Sequence, residues 1–238
     1  MMLSTASESE LYHISFHDKQ AISISCNSYM YYTPFGIDRF LTLPEHLRPA
    51  GAKEMETLLY WMRGFLALPH PFLGRPGPVC PFVPSLLQKQ ALYVCVMFES
   101  PRAELLEAHR QLNLTLIDSP TNPHARLSTI IALYPNATFH DLEDIQADKQ
   151  QCFLESGLML GGLHKAVERK GLHNKNIITR RSPVPLLASH AIFPGDLVFL
   201  SEKESHFRAY QKCITREQVP SALVALYDSV ERSFAKAP

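Results

Sequence analysis

The sequence predicts an α+β fold, a single domain in which helices pack on a mixed or antiparallel sheet. Short apolar runs typical of buried strands are interleaved with segments that have the i, i+3, i+4 spacing of amphipathic helices. The irregular spacing of these segments and the 18 prolines argue against a regular doubly wound sheet. No repeat and no long linker interrupts the chain, so we predict one domain over residues 1–238, with residues 1–10 flexible.

The first half of the chain is predicted to contain a hairpin, a helix and a strand. Residues 11–26 hold two alternating runs around a polar HDKQ segment, which indicates a hairpin. Residues 53–68 place their apolar side chains on one helical face, and Pro69 ends that helix. Residues 91–99 are almost entirely apolar, as expected of a strand that is covered on both faces.

The second half is predicted to continue this alternation. Ser100 and Pro101 are suited to begin a helix that runs to about residue 112. The remaining elements are a buried strand over 128–134, a helix over 141–158, an extended segment over 158–163, a short strand over 196–200 and a closing amphipathic helix over 220–234.

Composition excludes several kinds of partner. Lys plus Arg and Asp plus Glu are equal at 23 each, so there is no electrostatic case for nucleic acid or an anionic membrane. No apolar stretch is long enough to cross a bilayer, and the first residues lack the basic and apolar regions of a signal peptide. The five cysteines are widely spaced and form no CxxC pair. We therefore expect a cytoplasmic protein that binds neither nucleic acid nor membrane.

Residues 68–84, LPHPFLGRPGPVCPFVP, form the most informative segment, which we call the cysteine loop. Its prolines fix φ and remove backbone donors, so it is neither a helix interior nor a central strand. Cys80 and His70 are the predicted catalytic residues, because a thiolate stabilised by Arg75 would be a nucleophile or a soft metal ligand. The guanidinium of Arg75 also offers a planar fork for a carboxylate. The alternative is a rigid connector with a buried Cys80 and a His70 that bonds the backbone.

A basic segment, residues 161–181, is the second candidate. A neutral imidazole is a common ligand of heme iron and a common general base. His164 is accordingly the first predicted metal ligand and His173 the second, while Arg180 and Arg181 would pair with an anionic cofactor edge or an acidic substrate. The alternative is a solvated charged hairpin with its histidines at the rim.

A third candidate lies in the apolar segment of residues 182–193, which contains His190. Its apolar neighbours favour a satisfied core histidine over a ligand. Elsewhere, the chain has no GxGxxG after a strand, no P-loop, no GxSxG elbow and no HExxH pair. The absence of these motifs argues against the common classes of nucleotide-binding enzymes, hydrolases and zinc proteases.

These segments together resemble a bacterial family of uncharacterised proteins, over about residues 53–200. The HPFLGRPGPVCPF run follows that family's HPxLGRxGxVCPF pattern, and RSPVPLLASH resembles its later SPVPLL segment. The family tends to have an arginine where this chain has His190, so no role is carried over to that position.

A more distant likeness suggests a function. The CPF step followed by an apolar strand is similar to the YqcI/YcgG family, some of whose members bind heme and hydroxylate a nitrogen of an amino acid. The likeness implies a heme pocket built by the cysteine loop, with arginines at the propionates. Its axial-ligand candidates are His164 first and His173 second, followed by His70 and Cys80. Arg75, Arg180 and Arg181 are the matching arginines of this chain.

The function expected from this likeness is a heme-binding enzyme of specialised metabolism, an oxidoreductase that uses oxygen or peroxide on a small amino-acid-like substrate. Two alternatives stay open. One is a cofactor-free enzyme or small-molecule binder whose pocket is lined by the cysteine loop. The other is a non-catalytic partner protein, for instance a homodimer, in which residues 183–193 cover another subunit.

Overall fold

A computed structural model describes residues 14–17, 21–26, 29–32, 42, 45, 48, 50–168, 174, 178–179 and 181–235. The predicted flexible residues 1–10 lie outside the described residues, as do two predicted site residues, His173 and Arg180. Among the residues that are described, no helix is long and apolar enough to span a bilayer.

The sheet is mixed, as predicted. Its strands are β1 (Ile14–His17), β2 (Ala21–Cys26), β3 (Tyr29–Tyr32), β4 (Leu92–Val96), β5 (Thr129–Leu133), β6 (Leu158–Leu163) and β7 (Leu186–Ala191). They lie in the order β1-β2-β3-β4-β5-β7-β6. Only the β4–β5 pair is parallel among the described strands, and the β1–β2 pair is the predicted hairpin.

Helices cover both faces of this sheet, which confirms the α+β class. They are α1 (Ala52–Trp61), α2 (Val83–Gln88), α3 (Ala103–Ile117), α4 (Phe139–Glu155), α5 (Leu197–Leu200), α6 (Glu204–Cys213) and α7 (Ser221–Ala235). A π-helical turn, Met62–Leu66, continues α1 up to the cysteine loop. The helix predicted over residues 53–68 is therefore confirmed, although its last turn is wider than an α-helical turn.

Two sequence predictions are wrong. Residues 196–200 are not a strand: a 3₁₀ turn, Pro194–Asp196, leads directly into α5. The carboxylate of Asp196 accepts the Phe193 backbone N–H at 2.8 Å and caps this turn, which a short apolar run alone does not predict. The start of α3 also differs, because the helix begins after Arg102 with no side-chain cap, and Ser100 therefore does not cap it.

Strand β7 separates two cores. Leu187 packs in the core that α3 and α4 cover, whereas Leu186 and Ala188 pack in the core that α1 and the cysteine loop cover. Successive side chains of a strand point to opposite faces, so His190 lies on the cysteine-loop face and Ser189 on the α3 face. The two polar side chains therefore belong to different environments.

The position of β7 also bears on the partner-protein alternative. This strand lies inside the sheet between β5 and β6. Leu186, Leu187 and Ile192 are buried within the chain itself, at no more than 1% exposure. The apolar segment of residues 183–193 is thus accounted for by the core, which removes the observation that favoured a covering role on another subunit.

Candidate functional site

The cysteine loop is closed at its base by backbone hydrogen bonds. Val79 donates its N–H to the Leu68 carbonyl at 2.9 Å, and Cys80 donates to the Leu66 carbonyl at 2.9 Å. These bonds join the loop to the end of the π-helical turn. The loop is therefore a rigid excursion that returns Cys80 to the edge of the core, as its prolines predicted.

Arg75 holds the interior of this loop together. Its Nη1 donates to the Pro76 carbonyl at 3.0 Å and its Nη2 donates to the Val79 carbonyl at 3.0 Å. Gly74 and Gly77 flank it with φ values of 77° and 88°, which glycine adopts without a Cβ penalty. Arg75 is half-buried, and these two bonds fix the position of its guanidinium. One of its partners, Val79, directly precedes Cys80 in the sequence.

The Cys80 thiol is largely withdrawn from water. Burial raises the pKa of Cys80, and the nearby Asp196 carboxylate raises it further. The backbone N–H groups of Phe82 and Val83 and the charge of Arg75 act in the opposite direction, but burial is the largest influence. The thiol is thus protonated at neutral pH and needs a base before it can act as a nucleophile.

His190 has the tautomer that a base requires. Its Nδ1 lies 2.8 Å from the Ala191 carbonyl, and a carbonyl only accepts hydrogen bonds. In the neutral ring the proton is therefore on Nδ1, and the free lone pair is on Nε2. The side chain is 22% exposed, so it is not the enclosed core histidine that its apolar neighbours suggested.

Asp196 provides a buried carboxylate beside this imidazole. Its Oδ2 lies 3.9 Å from Nδ1 of His190 and accepts the Phe193 backbone N–H. Burial raises the pKa of Asp196, whereas the charge of His190 lowers it, and burial is the larger cause. Sequence reasoning missed Asp196 because it lies in the segment that was predicted as a strand. The Pro194-Gly195 pair before it is the turn signal that could have indicated its position.

Aromatic rings join the cysteine loop to this end of β7. The Phe82 ring stacks on Phe193 with centroids 4.9 Å apart, and His190 stacks on Phe193 at 5.4 Å. A Cβ on Gly195 would lie 3.9 Å from Phe82 Cζ. Since Phe82 is two residues after Cys80, these contacts bring the thiol to the same region as the imidazole. We call Cys80, His190 and Asp196 the thiol site.

His70 and His164 have the opposite tautomer. His70 Nδ1 accepts the Phe72 backbone N–H at 3.2 Å, and His164 Nδ1 accepts the Ala166 backbone N–H at 3.0 Å. Burial, and then the charge of Lys165, lowers the pKa of His164, which keeps its ring neutral. With Nδ1 used as an acceptor, the proton of each neutral ring is on Nε2, whereas an iron ligand needs an unprotonated nitrogen. In this arrangement neither residue fits the predicted role as an axial heme ligand.

Arg181 is used within the basic segment. Its Nε donates to the Val167 carbonyl at 3.2 Å, and the Val167 N–H donates to the His164 carbonyl at 3.1 Å. These bonds fold the described part of the segment onto itself. Within the described ranges there is also no cluster of three or more His, Cys, Asp or Glu residues placed to hold a metal ion.

A buried polar network lies on the other face of β7. Asn113 donates from Nδ2 to the Ser189 carbonyl at 2.9 Å and to Ser189 Oγ at 2.7 Å, and Ser189 Oγ lies 2.8 Å from His109 Nε2. All three side chains are 0% exposed. Burial lowers the pKa of His109 to about 4, so its ring is neutral in the folded protein. This network ties α3 to the strand that carries His190.

Two surface cavities lie away from the thiol site. One of about 350 Å³ is lined by acidic residues of α4, namely Asp141, Asp144 and Asp148. Another of about 400 Å³ lies beside α1 and is lined in part by Tyr60 and Arg63. None of the predicted site residues lines either cavity.

The comparison with known families gives one match. A family model described as a domain of unknown function (DUF6875) matches residues 55–225. The chain belongs to this family. The matched range of the DUF6875 domain includes the cysteine loop, the basic segment and the whole thiol site. The expected membership of an uncharacterised family is thus confirmed, while the likeness to the YqcI/YcgG family stays a prediction.

Two further comparisons gave no result for this DUF6875 protein. No curated protein matches the chain, and no solved structure matches it. The function must therefore be inferred from the residues and their geometry.

Proposed function

We propose that this protein is a thiol-dependent enzyme that acts on a small molecule, with Cys80 as the nucleophile and His190 as the general base. The hydrogen bond from His190 Nδ1 to the Ala191 carbonyl is the observation that supports it most. It leaves the Nε2 lone pair available on the sheet face that the cysteine loop covers. This proposal develops the cofactor-free alternative, in which the cysteine loop lines the pocket.

The reaction class that fits these groups is transfer of an acyl group from an ester, thioester or amide. The Cys80 sulfur attacks the carbonyl carbon while the thiol proton moves to His190 Nε2. The leaving group departs with that proton, and an S-acyl enzyme remains. A second nucleophile such as water then takes the acyl group and restores the thiol. Asp196, 3.9 Å from Nδ1, stabilises the imidazolium during both steps.

Alkylation by iodoacetamide near neutral pH tests this assignment. In the wild type, His190 takes the proton as the sulfur displaces iodide, so we expect Cys80 to react. His190→Gln keeps a polar side chain but removes the base, and we expect at least a roughly tenfold slower reaction at Cys80. The rates are measured for each cysteine by peptide mass spectrometry, with the exposed Cys152 as the internal reference.

The matched control is His140→Gln, which changes an exposed histidine on α4. It is expected to leave the Cys80 rate unchanged. Equal Cys80 rates in the wild type and in His190→Gln would show that His190 is not the base, and the proposal would be wrong.

The heme hypothesis is a separate proposal with its own measurement. Since His70 and His164 do not fit as ligands, His173 is the remaining histidine among the predicted ligands. Protein expressed with iron and a heme precursor would show a Soret band that His173→Ala abolishes. A colourless protein that hemin does not reconstitute would contradict heme binding and would leave the thiol proposal untouched.

A further inference from the structure

We propose that the small molecule bound at the thiol site carries a carboxylate, and that the Arg75 guanidinium binds it. This inference rests on the proposed function, because it names the class of substrate that Cys80 would attack. Of the two partners expected for Arg75, a heme propionate or a substrate carboxylate, it selects the substrate carboxylate.

The first support is the fixed position of the guanidinium. Two of its N–H groups donate to the carbonyls of Pro76 and Val79, so the plane of the fork is set by the loop backbone. A guanidinium has five N–H donors, which leaves three for another partner. The bond to Val79 places this fork next to Cys80, and the charge of Arg75 acts on the thiol.

The second support is a missing counter-charge. None of the ion pairs between described residues includes Arg75, whereas Arg102, Arg110, Arg208 and Arg216 each form one. The described part of the chain thus gives this half-buried guanidinium carbonyl partners but no carboxylate. A substrate carboxylate would match the remaining donors in geometry and charge.

The third support is the balance of the two charges that act on the thiol. Arg75 and Asp196 act on Cys80 in opposite directions, and the influence of Arg75 is the larger of the two. The electrostatic environment of Cys80 is therefore dominated by the arginine on the loop side, and an anionic group is best accommodated there.

The test compares two alkylating reagents that differ mainly in one group. Iodoacetate carries a carboxylate where iodoacetamide carries a neutral amide, and both transfer a similar fragment to the Cys80 sulfur with loss of iodide. We expect Arg75→Gln to lower the ratio of the iodoacetate rate to the iodoacetamide rate at Cys80 by about fivefold or more. Arg102→Gln, at an exposed arginine before α3, is the matched control and should leave the ratio unchanged.

The outcomes separate the two proposals. If Cys80 reacts in a His190-dependent manner but the ratio is the same in Arg75→Gln, the carboxylate inference is overturned and the thiol proposal stands. If Cys80 of the wild type is inert to both reagents, the thiol proposal fails and the inference falls with it.

A second measurement avoids the substitution, since Arg75 also supports the loop. In the wild type, acetate should slow the reaction of Cys80 with iodoacetamide more than acetamide does at the same concentration and ionic strength. Equal effects of acetate and acetamide would overturn the inference without any variant.

Discussion

Acidification from about pH 7.5 to about pH 4.5 is expected to lower the free energy of unfolding by about 2.5 kcal/mol through His109 alone. The folded pKa of His109 is about 4, below its ordinary value of 6.5, because the ring is fully buried. As the pH falls, the unfolded chain therefore binds this proton first. The contribution of neutral His109 is complete above about pH 6.5 and is lost as the pH falls towards 4.

Urea unfolding at the two pH values measures this effect. His109→Gln should be less stable than the wild type at about pH 7.5, because Ser189 Oγ loses its imidazole partner. Its further loss of stability on acidification should nevertheless be smaller by about 2.5 kcal/mol, since the titrating group is gone. The exposed His140, changed to Gln, is the control. Parallel pH profiles for the wild type and His109→Gln would refute the assignment.

The Gly51→Ala variant is expected to lose about 3 kcal/mol or more of stability, because backbone strain and overpacking act together there. Gly51 precedes α1 with a φ of 85°, a conformation that a Cβ disfavours. An added Cβ would lie 2.6 Å from Val96 Cγ2 and 2.7 Å from Val96 Cβ, at the end of β4. Relief of this contact requires α1 to move away from the sheet.

Gly64→Ala is the matched control, since Gly64 lies in the π-helical turn and an added Cβ meets no atom within 4 Å. It is expected to change stability by no more than about 1 kcal/mol. Thermal unfolding followed by circular dichroism compares the two variants. The double variant Gly51→Ala, Val96→Ala should recover only the part of the loss that is due to the Val96 Cγ atoms, because the Val96 Cβ at 2.7 Å remains. If Gly51→Ala is as stable as Gly64→Ala, the close approach of Gly51 to Val96 does not occur in the folded protein.

The strands and long helices were predictable because the pattern of apolar residues in each segment matches the pattern of burial in the folded chain. Both β4 and β5 are apolar runs, and both are buried between helices, so composition and burial agree. For the predicted strand at residues 196–200, composition does not decide the conformation, because a short apolar run is equally compatible with a strand and with a helical turn. There, the cap formed by Asp196 decides the conformation.

The thiol site was only half predictable. Cys80 was identified because a proline-rich loop isolates it from any periodic pattern. His190 was interpreted as a core residue because its sequence neighbours are apolar, yet Leu187 and Ala191 point to the opposite face of the strand and Ile192 lies beyond its end. Asp196 has no sequence feature in common with Cys80, although its charge acts on that thiol in the folded chain.

The same limit applies to the predicted ligands. A sequence gives the positions of the histidines but not their hydrogen-bond partners. The hydrogen bond at Nδ1 decides whether Nε2 can act as a base or a ligand. For His164 that partner is the Ala166 N–H, a donor, and for His190 it is the Ala191 carbonyl, an acceptor. The two histidines are chemically different although His164 directly follows strand β6 and His190 lies in strand β7.

The sequence alone determined the α+β class, the positions of the buried strands and the rigidity of the cysteine loop, because these depend on periodicity and on the fixed φ of proline. The tertiary structure alone decided that Cys80, His190 and Asp196 share one region, since this depends on the register of β7 and on the packing of Phe82 on Phe193. Local patterns describe which face of an element is buried. They do not specify which distant side chains meet on that face.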